Sequence, residues 1–151
     1  MSPLTAPAPT WATSAGLLLV RVTVGAAFVM HGLAKVHNPF GWMNGTDTAP
    51  PGAVQALAVY VELGGGGLLI AGLFTRVAAL LLAAQMVAAL ALVHIPHGDP
   101  FVAQGRPSAE LACAYLAVAL AVAALGAGAY SLDAPFFGRR RAAATALAPA
   151  H

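Results

Sequence analysis

Charge is what this sequence has least of: Asp, Glu, Lys and Arg make up 8% of its 151 residues, against roughly 25% in an ordinary soluble domain. Seven basic and five acidic side chains cannot cover the water-facing surface of a globule this large, so a soluble fold is excluded and the chain belongs in a bilayer. Cysteine is nearly absent as well. The single Cys113 excludes an intramolecular disulfide, and with no CxxC or Cys/His pair there is no zinc or thiol-relay signature and no assigned metal site. The length is too short for several domains, so one membrane unit is expected.

What is present is apolar: 60% hydrophobic residues with a mean hydropathy of +0.80. A spanning helix needs about 20 mostly apolar residues, and four segments supply them. The first runs from about Ser14 to Val36, behind a Pro/Thr/Ala-rich leader that Trp11 ends as an interfacial anchor. The second runs from about Ala53 to Phe74 after the helix-starting pair Pro50 and Pro51. The third begins near Arg76 and is expected to stop at Pro96, which lacks an amide. The fourth starts near Ser108, a candidate N-cap, and ends at the glycines of GAGAY. No basic n-region precedes the first segment, so it reads as a retained span and not a cleaved signal.

The fold class expected is all-α: a four-helix transmembrane bundle, antiparallel and up-down. Residues 1–13 form a leader, 14–134 the four-span domain and 135–151 a basic, Ala-rich tail. Arg21, the Thr75 and Arg76 turn, and Arg139, Arg140 and Arg141 fall on one side, against Lys35 and Arg106 on the other. The positive-inside rule then places both termini in the cytoplasm, with the protein in the cell (inner) membrane. Two longer loops, from His37 to Gly52 and from His97 to Pro107, face outward.

Ionisable side chains within spans need a partner or a cavity, which makes them candidate functional residues. At about 100° per residue, Arg21, Gly25, Phe28, His31, Gly32 and Lys35 share one face of the first helix. Gln55, Ala58, Glu62 and the run from Gly64 to Gly67 contribute to a polar and small face of the second, and Arg76 and His94 lie in line on the third. Glu110 heads a stripe of Ala114, Ala117, Ala121, Ala124 and Gly128 on the fourth, and Gln85 falls opposite His94. Small residues four apart allow close helix approach, so these faces are expected to converge. His31, Glu62, His94 and Glu110, with Lys35, form an outward-half cluster. Arg21, Arg76 and Asp133 form a cytoplasmic-half group expected to make structural ion pairs, while His37 and His97 read as solvated loop residues.

An imidazole and a carboxylate at the membrane edge suit proton exchange with the ring oxygens of a lipid-soluble quinone, held between apolar walls. His31, Glu62, His94 and Glu110 are the candidate proton-exchanging residues, and His31, Lys35 and His94 the candidate cofactor contacts. Axial ligation of a haem by His31 and His94, or a divalent metal in the His/Glu set, stands behind this because no ligand pair has a diagnostic spacing.

The blocks LLLVRVTVGAAFVMHGLAK, ELGGGGLLIAGLFTRVAALLLAAQMVAA, HIPHGDPF and GAGAYSLD occur in that order from Gly16 to Asp133. In this arrangement the chain resembles the DoxX family of small four-helix bacterial membrane proteins. Arg21, His31, Gly32, Lys35, Glu62, Gly65, Thr75, Arg76, His94, Glu110, Tyr130 and Asp133 occupy that family's characteristic polar and glycine positions. The sequence departs from the pattern at Pro100 and after Asp133. The resemblance implies a membrane subunit of a quinone-linked redox system handling sulfur compounds or oxidative stress. The alternative is a non-catalytic membrane partner that recruits or stabilises soluble redox enzymes. Expected partners are the lipid bilayer, proteins of a redox complex and a second copy of the chain as a homodimer, with no nucleic acid.

Overall fold

A computed structural model describes residues 10–136. Most of the leader, and the tail with Arg139, Arg140 and Arg141, lie outside the described residues. Those described are all-helical, without strands. Three elements are long and apolar enough to cross a membrane: Trp11–Leu33, Gly52–Ala71 and Thr75–His97, with a shorter apolar helix at Glu110–Leu125.

Helix α1 (Trp11–Leu33) opens at Thr10, whose hydroxyl accepts from the Thr13 amide at 3.2 Å. That satisfies one of the amides a helix start leaves without a partner. Its buried residues are Ser14, Leu17, Arg21, Gly25, Phe28 and Gly32, the face that the 3.6-residue period picks out. Helix α2 (Gly52–Ala71) begins after Pro51, as expected, and ends at Gly72 in the left-handed region, φ 67°. α1 and α2 pack through glycine. A Cβ on Gly25 would lie 2.7 Å from the Gly66 carbonyl oxygen and 2.8 Å from Ile70 Cγ1, while one on Gly32 would overlap Leu63. Only hydrogen fits at these contacts, which is how helices gain dispersion contact where no hydrophobic gradient drives them together. Gly64 and Gly67, by contrast, face open space.

The α2-to-α3 turn consists of Gly72, Leu73 and Phe74, not of Thr75 and Arg76, which already belong to α3 (Thr75–Ala89). Helix α3 does not stop at Pro96. It widens into a π-helical segment, Leu90–His94, continues as the single turn α4 (Ile95–His97), and ends at Gly98, φ 72°. In a regular helix the proline ring would press on the carbonyl four residues back, and the wider π turn just before Pro96 accommodates it. Helix α5 (Glu110–Leu125) starts after Ala109 with no side-chain cap, so Ser108 does not cap it. It ends at Gly126, φ 85°.

The alanine stripe on α5 is the clearest departure from expectation. Ala114, Ala117, Ala121 and Ala124 are exposed, as is Glu110, while Ala112, Ala119 and Val122 are buried. Alanine occurs around the whole helix and carries no directional signal, so Tyr115, Leu116 and Val122 select the face that joins the core. That core holds Phe28, Leu69, Leu82, Met86 and Val122 with Ala78, Ala79, Ala83, Ala112 and Ala119. Helix α1 packs along α2, α2 on α3 and α3 on α5, whereas α1 and α5 barely touch. A seam therefore runs between the first and last helices.

Candidate functional site

The end of the molecule that carries the 34–51 and 98–109 loops is its loop end. There a cavity of about 310 Å³ is lined by Phe28 and His31 of α1, Lys35, Trp42, Glu62, Gln85, Met86, His94 and, on α5, Leu111 and Tyr115. Its volume lies in the range of small-molecule sites.

At its polar wall Glu62, 5% exposed at the side chain, holds the Lys35 ammonium with both oxygens at 2.7 Å. Lys35 also lies 4.5 Å from the Trp42 ring centroid, a cation–π distance. Lys35 therefore does not merely snorkel to the surface. A carboxylate this buried needs such a partner, because an unpaired charge in a low-dielectric interior is strongly disfavoured. Gln85 approaches the same Glu62 oxygen at 3.5 Å, a long contact. Gln85 thus lines the cavity, a role its position opposite His94 on a regular helix did not suggest.

Another part of the lining is aromatic. Tyr115 stands 5.0 Å from Phe28 and meets the His31 ring edge-on at 6.1 Å, centroid to centroid. His31 is exposed beside its contact with Tyr115 of α5, so the lining of the cavity reaches the surface at the seam between α1 and α5.

The 34–51 loop is held over the cavity by Gln55, which is 1% exposed. Its side-chain oxygen accepts from the Met43 amide at 2.8 Å, its nitrogen donates to the Pro50 carbonyl at 2.9 Å, and its own carbonyl accepts from the Trp42 indole at 3.3 Å. One glutamine thereby places Trp42 and Met43 in the wall.

His94 lines the cavity from the last residue of the π segment, and its Nδ1 is 2.7 Å from Asp99. The other Asp99 oxygen is 2.7 Å from Nδ1 of His97. His97 is therefore a partnered residue and not simply solvated. The two imidazoles hold the Asp99 carboxyl below the usual carboxylate range, the His97 hydrogen bond contributing most and the His94 bond next. His-Ile-Pro-His-Gly-Asp was the available signal for this trio, since the two histidines are three apart and the carboxylate follows within one turn.

The structure brings His31, Lys35, Glu62 and His94 to one cavity and leaves Glu110 outside its lining, exposed in the first turn of α5. Trp42, Gln85 and Tyr115 join the lining without having been assigned to it, while Asp99 lies outside that lining and reaches it only through His94. Among the described residues, no group of three His, Cys, Asp or Glu side chains is arranged to hold a metal ion.

At the opposite end Arg21 is fully buried and ties three elements together. Its Nη1 donates to the Leu69 carbonyl at 3.0 Å and its Nη2 to the Tyr130 carbonyl at 2.6 Å. Asp133 accepts from the Phe74 and Thr75 amides at 2.8 and 2.9 Å. It acts as an N-cap for α3 supplied from far along the chain, and its hydrogen bonds go to those amides and not to either arginine. Arg76 is exposed beside Gly126.

Three membrane-crossing apolar helices around a polar cavity define the class: an all-helical integral membrane protein. The chain belongs to the DoxX family, whose model matches residues 16–95. His31, Lys35, Glu62, Gln85 and His94 fall inside that stretch, while Asp99, Glu110 and Asp133 follow it. An uncharacterized protein of Haemophilus influenzae is 37% identical over 125 residues, covering 80% of this chain and 90% of its own length. No solved structure matches.

Proposed function

We infer that this protein is the membrane subunit of a quinone-linked redox system and that the loop-end cavity receives the ring. The observation that carries the reading is the Lys35 and Glu62 pair, its carboxylate buried, sharing with Tyr115 and Phe28 the lining of a cavity of about 310 Å³, with His31 and His94 in the same lining. The residues fit such a ring. Phe28, Met86, Leu111 and Tyr115 offer apolar and flat surfaces, and the imidazoles and the ammonium offer hydrogen bonds to ring oxygens.

A quinone ring is reduced by two electrons and two protons; in this reading the electrons come from a partner enzyme handling sulfur compounds or oxidative stress. The chain's own part is to hold the ring, exclude bulk water and move protons at the imidazole nitrogens. The reading places an antiparallel four-span bundle, residues 14–134, in the inner membrane with the loop end outward and both termini cytoplasmic. Support for the antiparallel packing of α1 on α2 comes from their contacts, which reverse in order along the two helices: Gly25 meets Gly66 and Ile70, while Gly32 meets Leu63.

The test is binding of decylubiquinone to the purified full chain in lipid nanodiscs, followed by quenching of tryptophan fluorescence and by quinone extraction after purification. Saturable quenching is expected, weakened about tenfold or more in Glu62→Gln and His31→Ala. If the wild type shows neither quenching nor extracted quinone while these variants lose only thermal stability, the redox reading fails and a stabilising, non-catalytic partner remains.

A further inference from the structure

Beside the first cavity lies a second, of about 320 Å³, lined by Met43, Gly45, Thr46, Asp47, Thr48, Val93, His94, His97, Asp99 and Pro107. Most of that lining is loop residues, and Gly45, Thr46, Asp47, His97 and Pro107 are exposed, so this cavity opens to water. Met43, Val93 and His94 belong to both linings. Of these three, only His94 carries an exchangeable side-chain proton. It forms part of the partition between a wet chamber and the membrane-facing site.

Asp99 decides how His94 can serve there. Its side chain is 6% exposed and each of its oxygens engages one imidazole Nδ1, at 2.7 Å in both cases. An anionic carboxylate accepts, so both rings present Nδ1–H to it, and the tautomer and orientation of each are fixed by that bond. Nε2 of His94 is then the nitrogen left over for exchange. The π segment Leu90–His94 ends at this residue, and single π turns of this kind occur disproportionately at functional positions.

We propose that His94 carries protons between the two cavities at Nε2, and that Asp99 is the positioning residue that holds its Nδ1–H tautomer. This deepens the quinone reading and rests on it for the identity of the final acceptor. The step balances simply. The Nε2 lone pair takes one proton from hydrated proton in the loop-side chamber, the ring becomes an imidazolium, and the same nitrogen gives one proton to the reduced ring's oxygen in the inner cavity. Nδ1–H remains on Asp99 throughout, and no electron moves through the imidazole. The titratable groups facing His94 are His31, Lys35, Glu62 and Tyr115 across the inner cavity and Asp47, His97 and Asp99 across the outer one.

The experiment has two arms on the full chain in nanodiscs. In the first, with no quinone present, ring-nitrogen NMR of 15N-histidine protein reads the His94 tautomer in wild type, Asp99→Asn, Asp99→Glu and His97→Ala. Wild type is expected to hold Nδ1–H, Asp99→Asn to lose that preference, Asp99→Glu to restore it in part and His97→Ala to keep it. In the second arm, decylubiquinone is reduced by excess hexaammineruthenium(II), which gives up electrons without releasing protons, and proton uptake is followed with a pH-sensitive dye. Uptake should slow about tenfold in His94→Gln and Asp99→Asn and recover with added imidazole, while the Asp99→Asn affinity for decylubiquinone stays at the wild-type value. An unchanged His94 tautomer in Asp99→Asn, or wild-type uptake in His94→Gln, overturns the proposal. If decylubiquinone does not bind wild type at all, the quinone reading falls, and the tautomer arm still decides the role of Asp99.

Discussion

Lys35 and Glu62 show how one residue's cost becomes another's constraint. Removing Lys35 leaves a carboxylate that is 5% exposed without its cation, and breaking a fully buried pair costs about 3–5 kcal/mol. The Lys35 side chain is itself 18% exposed, so Lys35→Ala should destabilise the protein by less, about 1–3 kcal/mol after discounting for solvent screening. Lys35→Met with Glu62→Gln should recover most of that loss. Detergent-denaturation curves of the three proteins check the order. Asp99 makes a prediction with a definite sign. Its carboxyl is held below its ordinary range when folded, so its contribution is complete above the unfolded value of about 3.9. That contribution is lost as pH falls through the lower folded value. The melting-temperature gap between wild type and Asp99→Asn should therefore be present at pH 5 and shrink as the pH is taken below about 3.9; a gap that persists unchanged at pH 2 would contradict the assignment.

At the scale of the helix, legibility depended on contrast. On α1, large and small residues alternate with a polar Arg21, so Arg21, Gly25, Phe28 and Gly32 could be placed on the buried face from period alone, and they are buried. On α5 the same arithmetic chose the wrong stripe, because small residues lie on every face and only contact with α3 distinguishes them. The π segment was not legible either. A helix that adds a residue to one turn shifts the register of all that follows, and no composition rule marks where. That shift explains why Gln85 and His94 share one cavity although a regular wheel sets them on opposite faces. Deleting Ala91 should restore a regular ladder and leave His94 turned toward the cavity, because at about 100° per residue the shortened regular helix reaches the direction that the π turn now gives His94. The expected result is a chain of unchanged helical content, by circular dichroism, whose His94 keeps the ring-nitrogen signature of a bond to Asp99; loss of that signature would contradict the one-residue reading of the π turn.

For the whole molecule, scarcity of charge was enough to identify a membrane protein, and the ordered blocks of motif were enough to reach the family. The loop-end site was only half legible. His31, Lys35, Glu62 and His94 stood out as charges inside apolar runs, whereas Trp42 and Asp99 come from loops whose course depends on Gln55 and on the histidines themselves. The proposed orientation makes a prediction at this scale. With Cys113 replaced by Ala, single cysteines at Thr46 and Gln104 should react with a membrane-impermeant maleimide applied to intact cells. A cysteine at Leu73 should react only after the cells are opened, and the reverse pattern would invert the protein in the membrane.

The seam between α1 and α5 changes what affinity means for this protein. A ligand whose ring enters beside His31 can leave its isoprenoid tail among the lipids, so it never has to cross water or be fully enclosed. The relevant concentration is then its mole fraction in the bilayer, where a hydrophobic compound accumulates far above its aqueous level. Under those conditions a contact surface as modest as this cavity's can remain occupied while still releasing its ligand quickly.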